Sequence, residues 1–269
     1  TRQYEPQQWS DRRFERAGMT APLMEASGLV LKRQDGSGFF DRFRNRLMFP
    51  IHSETGKVIG FGGRALGPED EPKYLNSPET PVYRKSQVLY NLHRAKEGIR
   101  KGDLGILVEG YMDVIGLHSN GVRQSVASCG TALTLAQVRA LKRHSEKVVV
   151  NFDPDAAGSS AAERSIHMLL EEGMQVRVLE LEGGRDPDEY VKTSGVEAYL
   201  SALGRAPGYF HWLADRARGR YDMRNAQGRV SALQLLLPAI QRVGDKLERA
   251  AIAADLAGYL GVEPGLVLD

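Results

Sequence analysis

Residues 104–114 read Leu-Gly-Ile-Leu-Val-Glu-Gly-Tyr-Met-Asp-Val, an apolar run that ends abruptly in an acid, a glycine and a second acid. A short and fully apolar run is typical of a strand that is buried on both faces of a sheet. Similar runs recur at residues 122–127, 148–152 and 176–181, and helical patterns separate them at residues 112–119, 135–144, 156–172 and 189–203. Strands that alternate with helices predict an α/β fold with a mostly parallel sheet covered by helices.

Three of these four predicted strands are followed by pairs of acids. In strand order the pairs are Glu109 and Asp113, Asp153 and Asp155, and Asp186 and Asp188. Because functional sites in open α/β sheets form outside the carboxyl ends of the strands, all six carboxylates would converge if the three strands are neighbours. Their mutual repulsion is costly unless cations lie among them. Hard divalent cations, above all Mg²⁺, prefer such oxygen ligands, and the lack of a His-rich or Cys-rich set disfavours zinc.

Each acidic motif also has a purely structural interpretation. Asp186-Pro187-Asp188-Glu189 fits a helix capping box, and capping alone would explain such a motif about half the time. Asp153 or Asp155 could cap the helix that follows, and Asp113 could favour the positive end of its helix. Glu109 is the hardest to explain structurally, because an acid at the end of an apolar strand needs a partner. The repetition at three strand ends favours a cation site.

The segment before the acidic one is basic. Residues 40–100 contain 11 Lys and Arg against 7 Asp and Glu, whereas residues 101–203 contain 10 against 15. Alternation over residues 42–51 predicts a strand with Arg42, Arg44 and Arg46 on one face, and a turn at 53–56 followed by residues 57–64 predicts a hairpin. Residues 66–90 are rich in proline and predict loops. Residues 1–35 and those from about 207 onward have helical patterns.

Basic and aromatic residues alternate along the second half of this segment. A mixture of this kind suits nucleic-acid phosphates and stacked bases, although each side chain by itself could be an ordinary solvated one. Tyr83 and Tyr90 border apolar positions, which favours the core for both. The basic members are Arg64, Lys73, Arg84 and Lys85, and the aromatic ones are Tyr74, Tyr83 and Tyr90.

Composition excludes several classes of protein. The chain has 269 residues, a net charge of +2 and a single cysteine, Cys129, which excludes an internal disulfide framework and a Cys-rich zinc module within it. Cys129 follows an apolar run and is expected to be a small buried residue. No stretch approaches the roughly 20 apolar residues of a membrane span. Because the chain begins with Thr1, we expect it to be a piece of a longer protein.

These motifs together resemble a known family. Residues 108–114 resemble the first motif of the toprim domain, and residues 151–158 and 184–188 look like its second and third acidic elements. Toprim domains also occur in topoisomerases and nucleases. Upstream, residues 41–51, 58–64 and 72–80 are similar, in order and spacing, to three signatures of the bacterial replicative DNA primases of the DnaG type. The sequence therefore resembles the toprim-containing RNA polymerase core of that family.

The resemblance implies a domain plan and a role for each site residue. We expect a partial basic α+β subdomain over residues 1–100, a toprim catalytic domain over 101–205 and a helical subdomain over 206–269. Glu109 would be the central catalytic acid. Asp113, Asp153 and Asp155 would be catalytic with it, and the metal ligands would be Glu109, Asp153, Asp155, Asp186 and Asp188. Template and nucleotide would be bound by Arg44, Arg46, Arg64, Lys73, Tyr74, Asn76 and Lys85.

The implied activity is synthesis of short RNA primers on single-stranded DNA by nucleotidyl transfer, with Mg²⁺ and with Mn²⁺ as a substitute. The implied partners are single-stranded DNA, ribonucleoside triphosphates and a replicative helicase, the last through a C-terminal domain expected to be absent. Zinc is expected only in an N-terminal module that is also expected to be absent. We expect a monomer at the replication fork in the cytoplasm, with no membrane partner. The alternatives are a nuclease or topoisomerase fragment and a non-catalytic DNA-binding scaffold.

One position departs from the family pattern. Pro154 stands between Asp153 and Asp155, where family members usually have glycine. Proline fixes φ near −65° and lacks an N–H donor. We expect a slightly different local backbone with both carboxylates still able to reach a metal ion, and Pro154→Gly would test this.

Overall fold

The computed structural model describes residue 14 and residues 16–36, 38–130, 132–152 and 160–262. The chain divides into two compact units, Thr1–His93 and Arg94–Asp269. The finer division expected at residues 100 and 205 stays a prediction.

The first unit is built from short antiparallel strands. Helix α1 precedes a two-stranded ribbon of β1 and β2, and β3, β4 and β5 form a three-stranded sheet in that order. The predicted hairpin is confirmed, with Met48 of β3 opposite Gly63 of β4 and Gly56 in the turn at φ 85°. The elements are α1 (Ala21–Ala26), β1 (Val30–Lys32), β2 (Phe39–Asp41), β3 (Arg46–His52), β4 (Val58–Ala65) and β5 (Tyr74–Asn76).

Two local predictions in this unit were wrong. The helical pattern over residues 1–35 contains strand β1, and residues 1–13 and 15 lie outside the described part. Strand β3 begins only at Arg46, because Asn45 has a φ of 49° and interrupts the extended backbone before it. Arg42 and Arg44 therefore precede the strand. The segment 66–90 is rich in loops as predicted, and it also contains the three-residue strand β5, which pairs with β4.

The second unit contains a four-stranded, entirely parallel sheet in the order β7-β6-β8-β9. All of β6 and β7 is buried, which agrees with their apolar sequences. The strands are β6 (Gly105–Val108), β7 (Ser125–Ala127), β8 (Lys147–Val150) and β9 (Gln175–Val178). The α/β class and the parallel sheet are thus confirmed.

Helices flank this sheet and continue beyond it. Those associated with the sheet are α2 (Leu92–Gly102), α3 (Tyr111–Ser119), α4 (Leu135–Lys142), α5 (Ser160–Glu171), α6 (Pro187–Ser194) and α7 (Val196–Arg205). The predicted helical tail is confirmed as α8 (Tyr209–Arg220), α9 (Ala226–Ile240) and α10 (Lys246–Leu260). Among the described residues, no helix is both long enough and apolar enough to span a bilayer.

Two helix predictions in this unit need correction. The single helix predicted over 189–203 is two helices, because Gly195 between them has a φ of 86°, which helical backbone does not tolerate. Helix α2 was not predicted, since its many charges obscured an apolar stripe that buries Leu92, Ala95 and Ile99.

Candidate active site

The first acidic segment lies where β6 passes into α3. The exposed Glu109 follows the last residue of β6, and its backbone carbonyl accepts a hydrogen bond from Cys129 N at 3.2 Å, which ties the ends of β6 and β7 together. Asp113, in the first turn of α3, accepts from Gly110 N through Oδ2 at 3.0 Å. Asp113 therefore lies at the positive end of its helix, as one of its two interpretations held, and it also caps the backbone N–H of Gly110. Cys129 is buried, as expected, and its burial raises the pKa of its thiol.

The third acidic segment begins helix α6. Asp186 is its N-cap and accepts from Glu189 N through Oδ1 at 2.7 Å, with Pro187 in the first turn, so the capping interpretation of Asp186 is confirmed. Asp188 has a different environment. Its side chain is only 14% exposed, and its Oδ2 lies 2.5 Å from Lys192 Nζ.

Helices α3 and α6 pack against each other, and a glycine makes the approach possible. A Cβ atom placed on Gly116 of α3 would lie 3.0 Å from both Cα and Cβ of Asp188 and would overlap its Oδ1. Only a residue without a side chain fits at that distance. The packing of α3 on α6 therefore brings acids from two separate loops together.

The pKa of Asp113 is raised by its environment and by the charges of other acids. Burial raises the pKa of Asp113 to about 6, the Gly110 hydrogen bond opposes that shift, and the charges of Asp186, Glu109 and Asp188 add to it. We call Glu109, Asp113, Asp186 and Asp188 the acid edge. Acids of the first and third acidic segments therefore act on Asp113 at the carboxyl end of the parallel sheet.

Asp153 and Asp155, with Pro154, lie outside the described residues. The strand that precedes them is well anchored. The buried Asn151 donates from its backbone N to Leu107 O at 2.9 Å and from Nδ2 to Leu179 O at 3.1 Å, and its Oδ1 accepts from Tyr199 Oη at 3.0 Å. The sequence analysis missed the role of Asn151 and Tyr199, although a buried amide after an apolar run signals that it needs partners.

The acid edge fits a hard divalent cation by the chemistry of its oxygen donors, and the Lys192 ammonium already stands at Asp188 as a cation. Within the described ranges, no three His, Cys, Asp or Glu side chains are arranged to hold one metal ion. Three of the acids are bound to other partners: Asp113 to Gly110, Asp186 to Glu189 and Asp188 to Lys192. Metal binding through Asp188 Oδ2 would therefore compete with Lys192, whereas Asp113 and Asp186 each use one oxygen for a backbone N–H.

The first unit carries the predicted basic residues on and beside β4 and β5. Arg64 and Tyr74 are opposite each other in the β4–β5 pairing, with the Arg64 guanidinium carbon 5.8 Å from the Tyr74 ring centre. The exposed Lys73 precedes β5, and its carbonyl accepts from Ala65 N at 2.9 Å. Arg64 and Lys73 border a surface recess of about 370 Å³ that Asp70 and Glu71 also line. A cation over an aromatic ring beside an exposed lysine suits a phosphate next to a stacked base.

Other predicted DNA-binding residues have structural contacts. Arg46 Nη1 donates to Pro72 O at 2.6 Å, so Arg46 braces the loop before β5. The exposed Arg44 has its guanidinium carbon 5.2 Å from the Phe40 ring centre. The Asn76 carbonyl accepts from Arg42 Nη2 at 3.2 Å, and Lys85 N donates to Glu79 Oε1 at 3.0 Å.

The two tyrosines that were predicted to lie in the core differ in burial. Tyr83 is 5% exposed and lies in the core as predicted, whereas Tyr90 is half-buried.

Comparison with known proteins gives three matches to family models. Residues 3–96 match the N-terminal domain of the DNA primase catalytic core, residues 106–191 match a toprim-like domain, and residues 210–265 match the DnaB-helicase binding domain of primase. The last match corrects the expectation that a helicase-binding segment is absent. Sequence patterns alone place the helical tail in the catalytic core, because amphipathic helices carry no motif that identifies a partner.

Relatives match along most of the chain. The DNA primase of Synechococcus elongatus is 46% identical over 222 residues, which are 79% of this chain and 32% of that protein. The chain thus spans about a third of the length of this curated relative. Among solved structures, a DNA primase domain from Pseudomonas aeruginosa is 35% identical with a TM-score of 0.80, covering 92% of this chain and 79% of that one.

A second solved structure is a DnaG primase catalytic domain bound to single-stranded DNA. It is 34% identical with a TM-score of 0.80, and the match covers 95% of this chain and 81% of that one. Identity at this level over most of a solved catalytic domain, together with the clustered acids on a toprim-type sheet, shows the family. The chain belongs to the DnaG-type DNA primases, and it corresponds to their toprim-containing catalytic core.

Proposed function

We propose that this chain carries out DNA-templated synthesis of RNA primers by nucleotidyl transfer. The 3′ hydroxyl of one ribonucleotide attacks the α-phosphorus of the next ribonucleoside triphosphate, a 3′–5′ phosphodiester forms, and pyrophosphate leaves with the electrons of the broken bond. The observation that carries the proposal is the acid edge. The charges of Glu109, Asp186 and Asp188 add to the raised pKa of Asp113 at the carboxyl end of a parallel sheet, and such a concentration of acids is costly unless the function uses their charge.

Glu109 is the proposed central acid of this reaction. It is exposed at the end of β6, and its charge lies close enough to Asp113 to raise the pKa of that carboxyl. We propose that Glu109, Asp186 and Asp188 bind divalent cations, Mg²⁺ with Mn²⁺ as a substitute, and that Asp153 and Asp155 complete the set. Cations held there would lower the pKa of the attacking hydroxyl and stabilise the charge on the leaving pyrophosphate.

The basic residues of the first unit are proposed to bind the template and the triphosphate. Arg64 with Tyr74 provides a charge and a stacking face, and Lys73 provides an exposed charge beside them. Arg44, Arg46, Asn76 and Lys85 are proposed to extend this surface. A relative with 34% identity has been solved with single-stranded DNA bound, which supports this choice of substrate.

The helical tail is proposed to bind a DnaB-type replicative helicase, because residues 210–265 match the corresponding domain model. We also propose that the chain is a monomer and acts at the replication fork in the cytoplasm, as its resemblance to the family implies.

Incubation of the chain with radiolabelled ribonucleotides, single-stranded DNA and Mg²⁺ tests the proposal. We expect short RNA products that require both template and divalent cation and that disappear with a chelator. A matched control is Asp103→Asn. Asp103 precedes β6 and pairs with the exposed Lys147, with 2.7 Å between Oδ2 and Nζ, so it lies at the opposite end of β6 from Glu109. Removing its charge should leave synthesis intact. DNA cleavage or a tyrosyl–DNA adduct in place of RNA would support a nuclease or topoisomerase, and metal-independent DNA binding without incorporation would support a scaffold.

A further inference from the structure

Asp188 differs from its neighbours because one of its carboxylate oxygens is bound to a lysine and the other lies close to a neighbouring helix. Oδ2 is bound to Lys192 Nζ at 2.5 Å, and Oδ1 lies beside Gly116 of α3, at the place that a side chain on Gly116 would occupy. The side chain of Asp188 is 14% exposed and that of Lys192 is 62% exposed. The ion pair therefore joins an exposed ammonium to a largely buried acid.

The position of this lysine sets up a competition for one oxygen. Oδ1 lies beside the backbone of α3, and Oδ2 is the oxygen that a cation would have to share with the ammonium. The two residues are four positions apart on α6, so the pair forms within one helix and needs no rearrangement of the fold. When no divalent cation is bound, the charge of Lys192 partly neutralises the acid edge and lowers the repulsion that Asp113 experiences.

We propose that Lys192 is a built-in counter-ion that competes with divalent cations for Asp188 and thereby sets the metal affinity of the acid edge. The inference rests on the metal-binding role given to Asp188 in the proposed function. Lys192 is a positioning and tuning residue, since it acts through Asp188. An exposed i,i+4 ion pair is weak, and the competing charge is small beside that of the acid cluster. Its removal should therefore tighten divalent-cation binding by about two- to fivefold.

Direct titration of Mn²⁺, with free Mn²⁺ measured by electron paramagnetic resonance, tests the inference without an activity assay. We expect Lys192→Gln to lower the apparent Kd by about two- to fivefold and Lys192→Arg, which keeps the charge, to change it little. The matched control is Lys147→Gln, because Lys147 pairs with Asp103 at 2.7 Å and is also a half-exposed lysine on a carboxylate. That variant should bind Mn²⁺ like the parent chain.

A double-mutant cycle with Asp188→Asn separates the inference from the proposed function. Asp188→Asn should weaken Mn²⁺ binding, and Lys192→Gln should have no further effect in that background. Unchanged binding in Asp188→Asn would overturn the ligand role itself. Weakened binding in Asp188→Asn, together with unchanged or weaker binding in Lys192→Gln, would overturn the inference alone.

An equal gain from Lys192→Gln in both backgrounds would also overturn it, because the lysine would then act as a general charge and not through Asp188. Thermal unfolding of each variant checks that the fold is intact. Lys192→Ala keeps the test decisive if the glutamine variant unfolds, since it also removes the ammonium and should tighten Mn²⁺ binding to the same extent.

Discussion

The acid edge and the basic strands β4 and β5 differ in the groups that hold their charged side chains in place. Backbone groups hold the acids, with Asp113 on Gly110 N and Asp186 on Glu189 N, and the parallel sheet brings their loops to one side. The basic residues have separate contacts: Arg64 lies over the Tyr74 ring, Arg46 donates to the Pro72 carbonyl, and Lys73 is exposed. The acids should therefore act as a unit that one change disables, and the basic residues as separate contributors whose removal has graded effects.

The largest effect is expected for Glu109→Gln, which removes the charge of the central acid and keeps its size. Primer synthesis should fall by at least about 100-fold, because a metal ligand in a cooperating set cannot be replaced by its neighbours. The rate of radiolabelled ribonucleotide incorporation measures this, with binding of single-stranded DNA expected to stay within about twofold. Normal synthesis by this variant would refute the role given to Glu109.

Next in size is Gly116→Ala, where the new methyl group would overlap Asp188. Forcing α3 and α6 apart should cost about 1–3 kcal/mol of unfolding free energy and weaken Mn²⁺ binding. Denaturant unfolding and Mn²⁺ titration measure the two effects. Gly258→Ala in α10 is the matched control, since nothing lies within 4 Å of its added methyl group and helix propensity should make it neutral or stabilising. Equal effects of both substitutions would contradict the packing argument.

A comparable loss of stability is expected for Tyr199→Phe. It leaves the buried Asn151 Oδ1 without its 3.0 Å hydrogen bond, which should cost about 1–3 kcal/mol of unfolding free energy. Chemical denaturation measures it. The control is Tyr259→Phe, because its hydroxyl bonds to Asp215 at 2.6 Å on the surface, where water can replace it. A smaller loss for Tyr199→Phe than for Tyr259→Phe would contradict the buried anchor.

The smallest effects are expected for substitutions of single basic residues on and beside β4 and β5. Lys73→Ala should weaken binding of single-stranded DNA by about two- to tenfold and reduce the slope of log affinity against log salt by about one, as expected for one lost phosphate contact. Fluorescence anisotropy at several salt concentrations measures both. Arg46→Ala should instead lower stability, because Arg46 bonds to Pro72 O. An all-or-none loss of DNA binding in Lys73→Ala would break the contrast with the acid edge.

The two regions also differ in how far sequence alone predicts them. Apolar runs predicted the parallel strands, and because such strands share one carboxyl edge, the prediction that acids of the first and third segments lie near Asp113 followed from topology. Strand β5 was missed because only three residues pair, and their pairing depends on β4. The positive φ of Asn45 likewise excludes Arg42 and Arg44 from the strand, within which the sequence pattern placed them.

Other features depend on contacts that no local pattern contains. The i,i+4 spacing of Asp188 and Lys192 is visible in the sequence, but the orientation of Asp188 towards Gly116 follows only from the packing of two helices. The predictions for Asp153, Pro154 and Asp155 stay predictions.

The central claim is that acids from separate loops jointly bind divalent cations. An anomalous difference map from crystals soaked with Mn²⁺ and a ribonucleoside triphosphate tests it most directly. The account predicts a Mn²⁺ peak with Glu109 and at least one of Asp186 and Asp188 as ligands, and with Lys192 displaced from Asp188. Well-occupied Mn²⁺ peaks without Glu109 as a ligand would contradict it. Glu109 and Asp188 side chains that point away from any shared ion would also contradict it.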